Sequence, residues 1–310
     1  MVNDGQGISP ESREQTPVVQ DSRDQGQRTT DEEQGTKRIL MCPPDYFGIE
    51  YEINPWMNVR VGSDTARSRV QWDALVETLR GLGVTVEWME PVAGLPDLVF
   101  TANAGLVYQN LFVCSRFRFA VRQGEAEHFS AWAETHGLEV VRPPERYHFE
   151  GAGDALFCGE TLFAGYRGRS DVKSHQWVGE RLGVEVLPME LVDPRFYHLD
   201  TCFCPLAPGW AIYYPGAFDE YGRSVLRDRI PNLIEVAPEE AISFSCNAVV
   251  VGRSVVLNRG ASKLADTLRE LGFEARPLEF TEFIKSGGSA KCLTLRLDGE
   301  EAAAWKSRAS

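Results

Sequence analysis

Residues 137–166 read GLEVVRPPERYHFEGAGDALFCGETLFAGY, and this stretch carries the plan of the whole chain. It opens on a Gly suited to ending a helix, runs into a short apolar strand stopped by two prolines, crosses a turn, and enters a second strand, ALFC, directly behind Asp154. A third strand, TLFAGYR, leads back to the next helical window. The same order recurs along the chain. Windows 69–82, 125–136, 172–182 and 262–271 carry apolar residues at three- and four-residue spacing and run into Gly83, Gly137, Gly183 and Gly272. A less regular helix is expected over 222–230. The strand after each helix reads VTVEWME, LEVVRPP, VEVLPME, LIEVAP or FEARPLE. The next strand opens behind Asn103, Asp154, Asp200, Asn247 or Cys292, positions spaced 51, 46, 47 and 45 residues apart. Such spacing is that of structural repeats.

Five like units either stack as a solenoid or close into a ring. A solenoid needs polar capping units, whereas the first and last units here are as apolar as the middle ones. Closure is therefore expected, in the α/β class, with the polar residues ahead of the second strands facing one central channel.

Composition narrows the function. The chain has 310 residues, 43% of them apolar, and a formal charge of -13. That charge disfavours a nucleic-acid partner, which needs clustered Lys and Arg. No apolar run approaches the roughly 18 residues of a membrane span, and the N-terminus lacks a basic-then-apolar leader pattern, so a cytoplasmic location away from membranes is expected. Residues 1–36 are rich in Gly, Gln, Ser, Asp, Glu and Arg, with no aromatic before Tyr46, and are expected to form a disordered acidic tail. Residues 37–298 are expected to form the catalytic domain and 299–310 a C-terminal tail. Seven scattered cysteines without a CxxC pair predict reduced thiols.

The expected channel receives Asp97 and Asn103, Glu150 and Asp154, His198 and Asp200, Asn247, and Cys292. Carboxylates, a histidine and a thiol supply a clamp for a cation, a proton shuttle and a nucleophile. Attack on a guanidinium carbon suits them best, because parallel N–H groups match carboxylates and no metal or cofactor is required. Asp154 and Asp200 equally suit bracing of turns, and Asn54, Asp97 and Asn247 suit turn or capping duties. The run Ser286-Gly-Gly-Ser289 lacks the GK[ST] ending of a phosphate loop; its glycines suit close backbone approach beside Cys292. A metallohydrolase is a rival, because His148 and Glu150, and His198 and Asp200, each stand two apart on a strand. A non-catalytic binding ring is a second rival.

The segments PDLVFTANAG (96–105), EGAGD (150–154), HLDTCF (198–203) and SGGSAKCLTLRL (286–297) together resemble the guanidine-modifying enzymes of the pentein superfamily. These include arginine deiminases, dimethylarginine dimethylaminohydrolases, arginine and succinylarginine dihydrolases, and amidinotransferases. The resemblance covers residues 38–297. It implies a five-bladed α/β propeller with pseudo-five-fold repeats and a covalent thiouronium intermediate. It also implies Cys292 as nucleophile, His198 as acid and base, and Glu150 as the carboxylate beside it. Where deiminases carry FTRD, this chain has Phe100-Thr-Ala-Asn103, similar to the dihydrolases, and Ile53-Asn-Pro-Trp-Met57 resembles the same branch. Asn103 keeps one acceptor and adds donors, which suits a ureido group. Arginine to ornithine, ammonia and carbon dioxide is therefore favoured. Deimination to citrulline, methylarginine hydrolysis and amidino transfer remain competitors. Asn54, Asp97, Asn103, Asp154, Asp200 and Asn247 are the expected substrate contacts. Arg116, Arg118, Arg167, Arg169, Arg223 and Arg259 are candidate partners for the substrate carboxylate. A homo-oligomer is the ordinary expectation.

Overall fold

The computed structural model describes residues 37–308, so the expected disordered tail over 1–36 lies outside the described residues. The chain begins with β1 (Arg38–Met41), α1 (Thr65–Gly81) and β2 (Thr85–Trp88). The second unit holds β3 (Gly105–Tyr108), β4 (Leu111–Cys114), α2 (Glu125–Thr135) and β5 (Glu139–Val141). The third holds β6 (Ala155–Cys158), β7 (Thr161–Tyr166), α3 (Val172–Leu182) and β8 (Val186–Glu190). The fourth holds β9 (Phe203–Ala207), β10 (Trp210–Tyr213), α4 (Glu220–Arg229) and β11 (Asn232–Glu235). The fifth holds β12 (Val249–Val251), β13 (Ser254–Asn258), α5 (Ser262–Glu270) and β14 (Glu274–Leu278), followed by β15 (Leu295–Arg296).

These strands form five three-stranded sheets among the described residues: β15-β1-β2, β3-β4-β5, β6-β7-β8, β9-β10-β11 and β12-β13-β14. Each middle strand pairs antiparallel on one side and parallel on the other. The antiparallel partner is reached by a two-residue turn in four sheets; the parallel partner needs a crossover, which the helix supplies. In the first sheet the antiparallel partner comes from the far end of the chain. Ile39 pairs with Arg296 and Leu40 with Leu295.

The helices lie where the periodicity predicts, and Gly83, Gly137, Gly183 and Gly272 sit at their C-terminal ends with φ of 80°, 81°, 67° and 81°. Only Gly adopts that left-handed turn without a Cβ penalty. Along α1, Trp72, Leu75, Val76 and Leu79 are buried against Val86 and Phe283. Each such side chain contributes about 1.5–3 kcal/mol by leaving water. Asp64 caps this helix by accepting from Arg67 N.

Residues 299–308, set apart in the sequence as a C-terminal tail, pack back on the third sheet. Gly159 N donates to Ala302 O, Ala304 N donates to Gly159 O, and Trp305 is buried against Phe157. All seven cysteines are buried free thiols. No helix among the described residues is long and apolar enough to cross a membrane.

Candidate active site

Each sheet's first strand is preceded by a tight turn, and the expected polar residues sit on those turns rather than on the strands. Asn103 lies in the 3-10 turn Thr101–Ala104, Asp154 caps Gly151–Gly153, and Asp200 lies in Leu199–Thr201. Asn247 and Cys292 occupy turns before β12 and β15. Asp97, Asn103, Glu150, Asp154, His198, Asp200, Asn247 and Cys292 are all at most 2% exposed. Small residues let the turns abut. A Cβ on Gly153 would stand 2.3 Å from Asn103 Nδ2 and 3.4 Å from the His198 ring, so only Gly fits between them.

His198 Nε2 stands 2.8 Å from Glu150 Oε2, and Arg169 Nη1 donates to the same oxygen at 3.0 Å. Arg118 N donates to Glu150 Oε1 at 3.1 Å. Burial works to raise the Glu150 pKa, but Arg169 and then His198 outweigh it and hold the carboxyl well below the usual range. Asp154 accepts from Ser170 Oγ at 2.6 Å and from Leu199 N at 3.1 Å, so it braces the residue after His198.

Cys292 Sγ donates toward Asp200 Oδ2 at 3.4 Å and lies 3.1 Å from Asn247 Nδ2. Asn247 Oδ1 accepts from Cys292 N at 3.2 Å and Ser289 N at 3.0 Å, and its Nδ2 also donates to Asp200 O at 3.0 Å. One amide therefore holds both sides of the cysteine turn. Burial, followed by the Asp200 charge, pushes the Cys292 thiol well above its usual value. Burial likewise pushes Asp200 up to about 7.

A buried cluster around Arg122 was not singled out from the sequence. Its guanidinium forks onto Glu125 at 2.8 and 2.7 Å, donates to Asn103 Oδ1 at 3.0 Å, and stands 3.7 Å from Asp97 Oδ2. Asn103, expected to keep an acceptor for substrate, has that oxygen committed to Arg122. Among the buried polar atoms without a hydrogen-bond partner are Asn103 Nδ2 in this cluster and, beside Cys292, Asp200 Oδ1. Buried polar groups are ordinarily paired, so unpaired ones mark where a ligand's groups fit.

A family model described as N,N dimethylarginine dimethylhydrolase, eukaryotic, matches residues 44–298. The chain belongs to the N,N-dimethylarginine dimethylhydrolase family. Among relatives, the bifunctional arginine dihydrolase/ornithine cyclodeaminase ArgZ of Synechocystis sp. is 47% identical over 265 residues, 84% of this chain and 37% of that protein. The chain thus spans little more than a third of that relative's length. The N(G),N(G)-dimethylarginine dimethylaminohydrolase of Mycobacterium tuberculosis is 41% identical over 262 residues, 84% of this chain and 86% of that protein. The crystal structure of the N-terminal domain of ArgZ, a Cys-to-Ser mutant bound to substrate, superposes with a TM-score of 0.83 at 46% identity. It covers 86% of this chain and 99% of that chain.

Not every expected residue of this dimethylhydrolase-family chain reaches the cluster with a free group. Asn54 is half-buried with both ends engaged, donating to Ser286 O at 3.0 Å and accepting from Trp56 N at 2.9 Å. Of the six candidate arginines, Arg169 alone brings its guanidinium to Glu150; it is buried between the Phe119 and Tyr197 rings at 4.8 and 4.6 Å. Arg118 pairs with Asp171 at 2.6 Å, Arg167 with Glu190 at 2.7 Å, and Arg259 with Glu279 at 3.0 Å. Arg116 donates to Pro143 O. The His–acid pairs of the metallohydrolase reading are split: His148 faces Asp171 at 3.1 Å, while His198 faces Glu150 and Asp200 faces Cys292. No group of three or more metal-ligating side chains lies together among the described residues. Lys291 stands 3.0 Å from Glu300.

Proposed function

We propose that this chain is a cysteine-dependent hydrolase of guanidino compounds that converts arginine to ornithine, two ammonia and carbon dioxide. The observation that carries this reading is the buried set of a thiol 3.4 Å from Asp200 and an imidazole 2.8 Å from Glu150, with Asp200 Oδ1 left without a partner. A planar cation with parallel N–H groups satisfies that carboxylate and offsets its desolvation. The near-complete match to the ArgZ N-terminal domain, described as an arginine dihydrolase, supports arginine as substrate. We read residues 37–298 as the catalytic unit and the five sheets as blades of a closed propeller. Pairing of β15 with β1, which joins the last unit to the first, supports closure.

In the proposed mechanism, guanidinium charge beside Cys292 favours its thiolate. Sulfur bonds to the guanidinium carbon, a terminal C–N bond breaks, and the departing ammonia takes its proton from His198, which Glu150 holds in place. His198 then deprotonates water; the water oxygen bonds to the carbon and the C–S bond breaks, leaving a ureido group. A second passage through the same steps gives a carbamate, which loses carbon dioxide and frees the amine.

Mass spectrometry of products after incubation with arginine and a chelator tests this. Ornithine without accumulated citrulline is expected; citrulline as the end product makes the chain a deiminase. A second reading, hydrolysis of dimethylarginine, is favoured by the alignment over 86% of the mycobacterial enzyme. Release of dimethylamine from dimethylarginine, with no reaction on arginine, would establish it.

A further inference from the structure

We propose that Lys291, held by Glu300 behind the nucleophile turn, is a positioning residue whose ammonium keeps the Asp200 carboxylate charged to receive a guanidinium. The proposal rests on the reading above of Cys292 and Asp200 as parts of a guanidino-hydrolase site.

Lysine is seldom buried, and an apolar side chain of its size would fill the same space without desolvating a charge. Lys291 is nevertheless only 4% exposed. Its Nζ stands 3.0 Å from Glu300 Oε1, without the alignment of a hydrogen bond. Glu300 lies in the segment that packs back on the third sheet, so the counter-ion comes from outside the cysteine turn. Three turns meet here through Asn247. Lys291 N donates to Asn247 O at 3.3 Å, Asn247 Nδ2 donates to Asp200 O at 3.0 Å, and Cys292 Sγ lies 3.4 Å from Asp200 Oδ2. Lys291 and Asp200 therefore flank the nucleophile on adjoining turns.

Burial drives the Asp200 carboxyl toward its neutral form, the Lys291 charge is the strongest influence against burial, and Glu300 works with burial. Other titratable neighbours stay neutral. Burial holds the Tyr197 phenol and the thiols of Cys202 and Cys292 well above their ordinary values. Burial, followed by the Glu300 charge, pushes the Cys204 thiol of β9 up to about 12, and Lys291 acts on it in the opposite sense. His198 is tied to Glu150 at 2.8 Å. Asp200 Oδ2 faces the Cys292 thiol, and Oδ1 is left without a partner. A charged carboxylate accepts guanidinium N–H groups, whereas a protonated one sets a donor against a donor. Lys291 thus acts through Asp200 and makes no contact with the substrate.

The pH dependence of kcat/KM, measured with arginine or with dimethylarginine if the wild type turns over only that, tests this because it reports the groups of the free enzyme. Lys291→Met combined with Glu300→Gln removes both charges and leaves neither buried ion unpaired. The acid limb is expected to move to higher pH by about one pH unit, since the charge that most favours ionised Asp200 is gone, while the plateau at higher pH falls far less. Lys291→Arg keeps the charge and should keep the wild-type limb. An unmoved limb in the double variant, a limb that moves as far in Lys291→Arg, or a uniform loss at every pH would overturn the proposal and leave Lys291 a packing residue. Lys291→Met alone serves if the double variant does not fold, with the same shift expected and an unmoved limb again contradicting it. If the wild type turns over neither compound at any pH, the hydrolase reading itself falls, and this proposal with it.

Discussion

His198 Nε2 and Glu150 Oε2 stand 2.8 Å apart, joining two turns 48 residues apart in the chain, and neither residue is more than 1% exposed. A buried imidazole gripped by an ionised carboxylate keeps one orientation and gains a counter-charge when protonated. Glu150→Gln keeps the shape and removes the charge. The expected outcome is a kcat lower by about 10²–10⁴-fold. Arg169, left without its counter-ion, costs about 3–5 kcal/mol of stability. Steady-state kinetics and urea unfolding check both, and a near-normal kcat contradicts the role.

Burial pushes the Asp200 carboxyl up to about 7, against an ordinary value of 3.8. Between those values the folded protein holds the extra proton, so its stability falls as pH rises from about 4 to about 7 and levels off beyond. Glu150, with its depressed value, acts in the opposite sense, losing stability as pH falls below its ordinary 4.5. Asp200→Asn removes only the first contribution. Urea midpoints measured across this range should fall less steeply in the variant; parallel profiles contradict the assignment.

Asn247 donates to Cys292 Sγ at 3.1 Å and accepts from the Cys292 backbone at 3.2 Å. Asn247→Leu removes the donor that favours the thiolate and the anchor of the turn. Alkylation of Cys292 by iodoacetamide should slow by roughly tenfold or more, equivalent to one hydrogen bond to a charged group. Peptide mapping of the alkylated cysteine reads this directly. Alkylation at the wild-type rate would remove Asn247 from the account.

Gly153→Ala sets a Cβ 2.3 Å from Asn103 Nδ2 and 3.4 Å from the His198 ring. Overpacking of this kind costs about 1–3 kcal/mol. Because the displaced groups belong to the site, turnover should fall by far more than the loss of stability implies. Circular dichroism melts and kinetics on the same preparation separate the two effects.

The repeat was legible because it is written locally. Apolar spacing and terminal glycines place α1, α2, α3 and α5, and the polar residue lies one to three positions before each first strand: Asp154 before Ala155, Asn103 before Gly105, Cys292 before Leu295. The first sheet has no local signal of this kind, since β1 and β15 come from opposite ends of the described chain. Arg122 and Glu125 escaped for a related reason. Three apart around Gly124, they resemble the polar entry to a helix, and only folding brings Asp97 and Asn103 onto the same guanidinium. Arg169 was one candidate among six, set apart only once folding buries it between two rings and brings it onto Glu150.

The most direct test of the central claim is peptide-resolved mass spectrometry of the protein acid-quenched during turnover of arginine. The account predicts an adduct equal to arginine less ammonia on the peptide carrying Cys292, stronger in His198→Ala wherever the first step still proceeds, and no turnover in Cys292→Ser. Full activity in Cys292→Ser, with no adduct on the wild-type cysteine, would contradict the covalent mechanism.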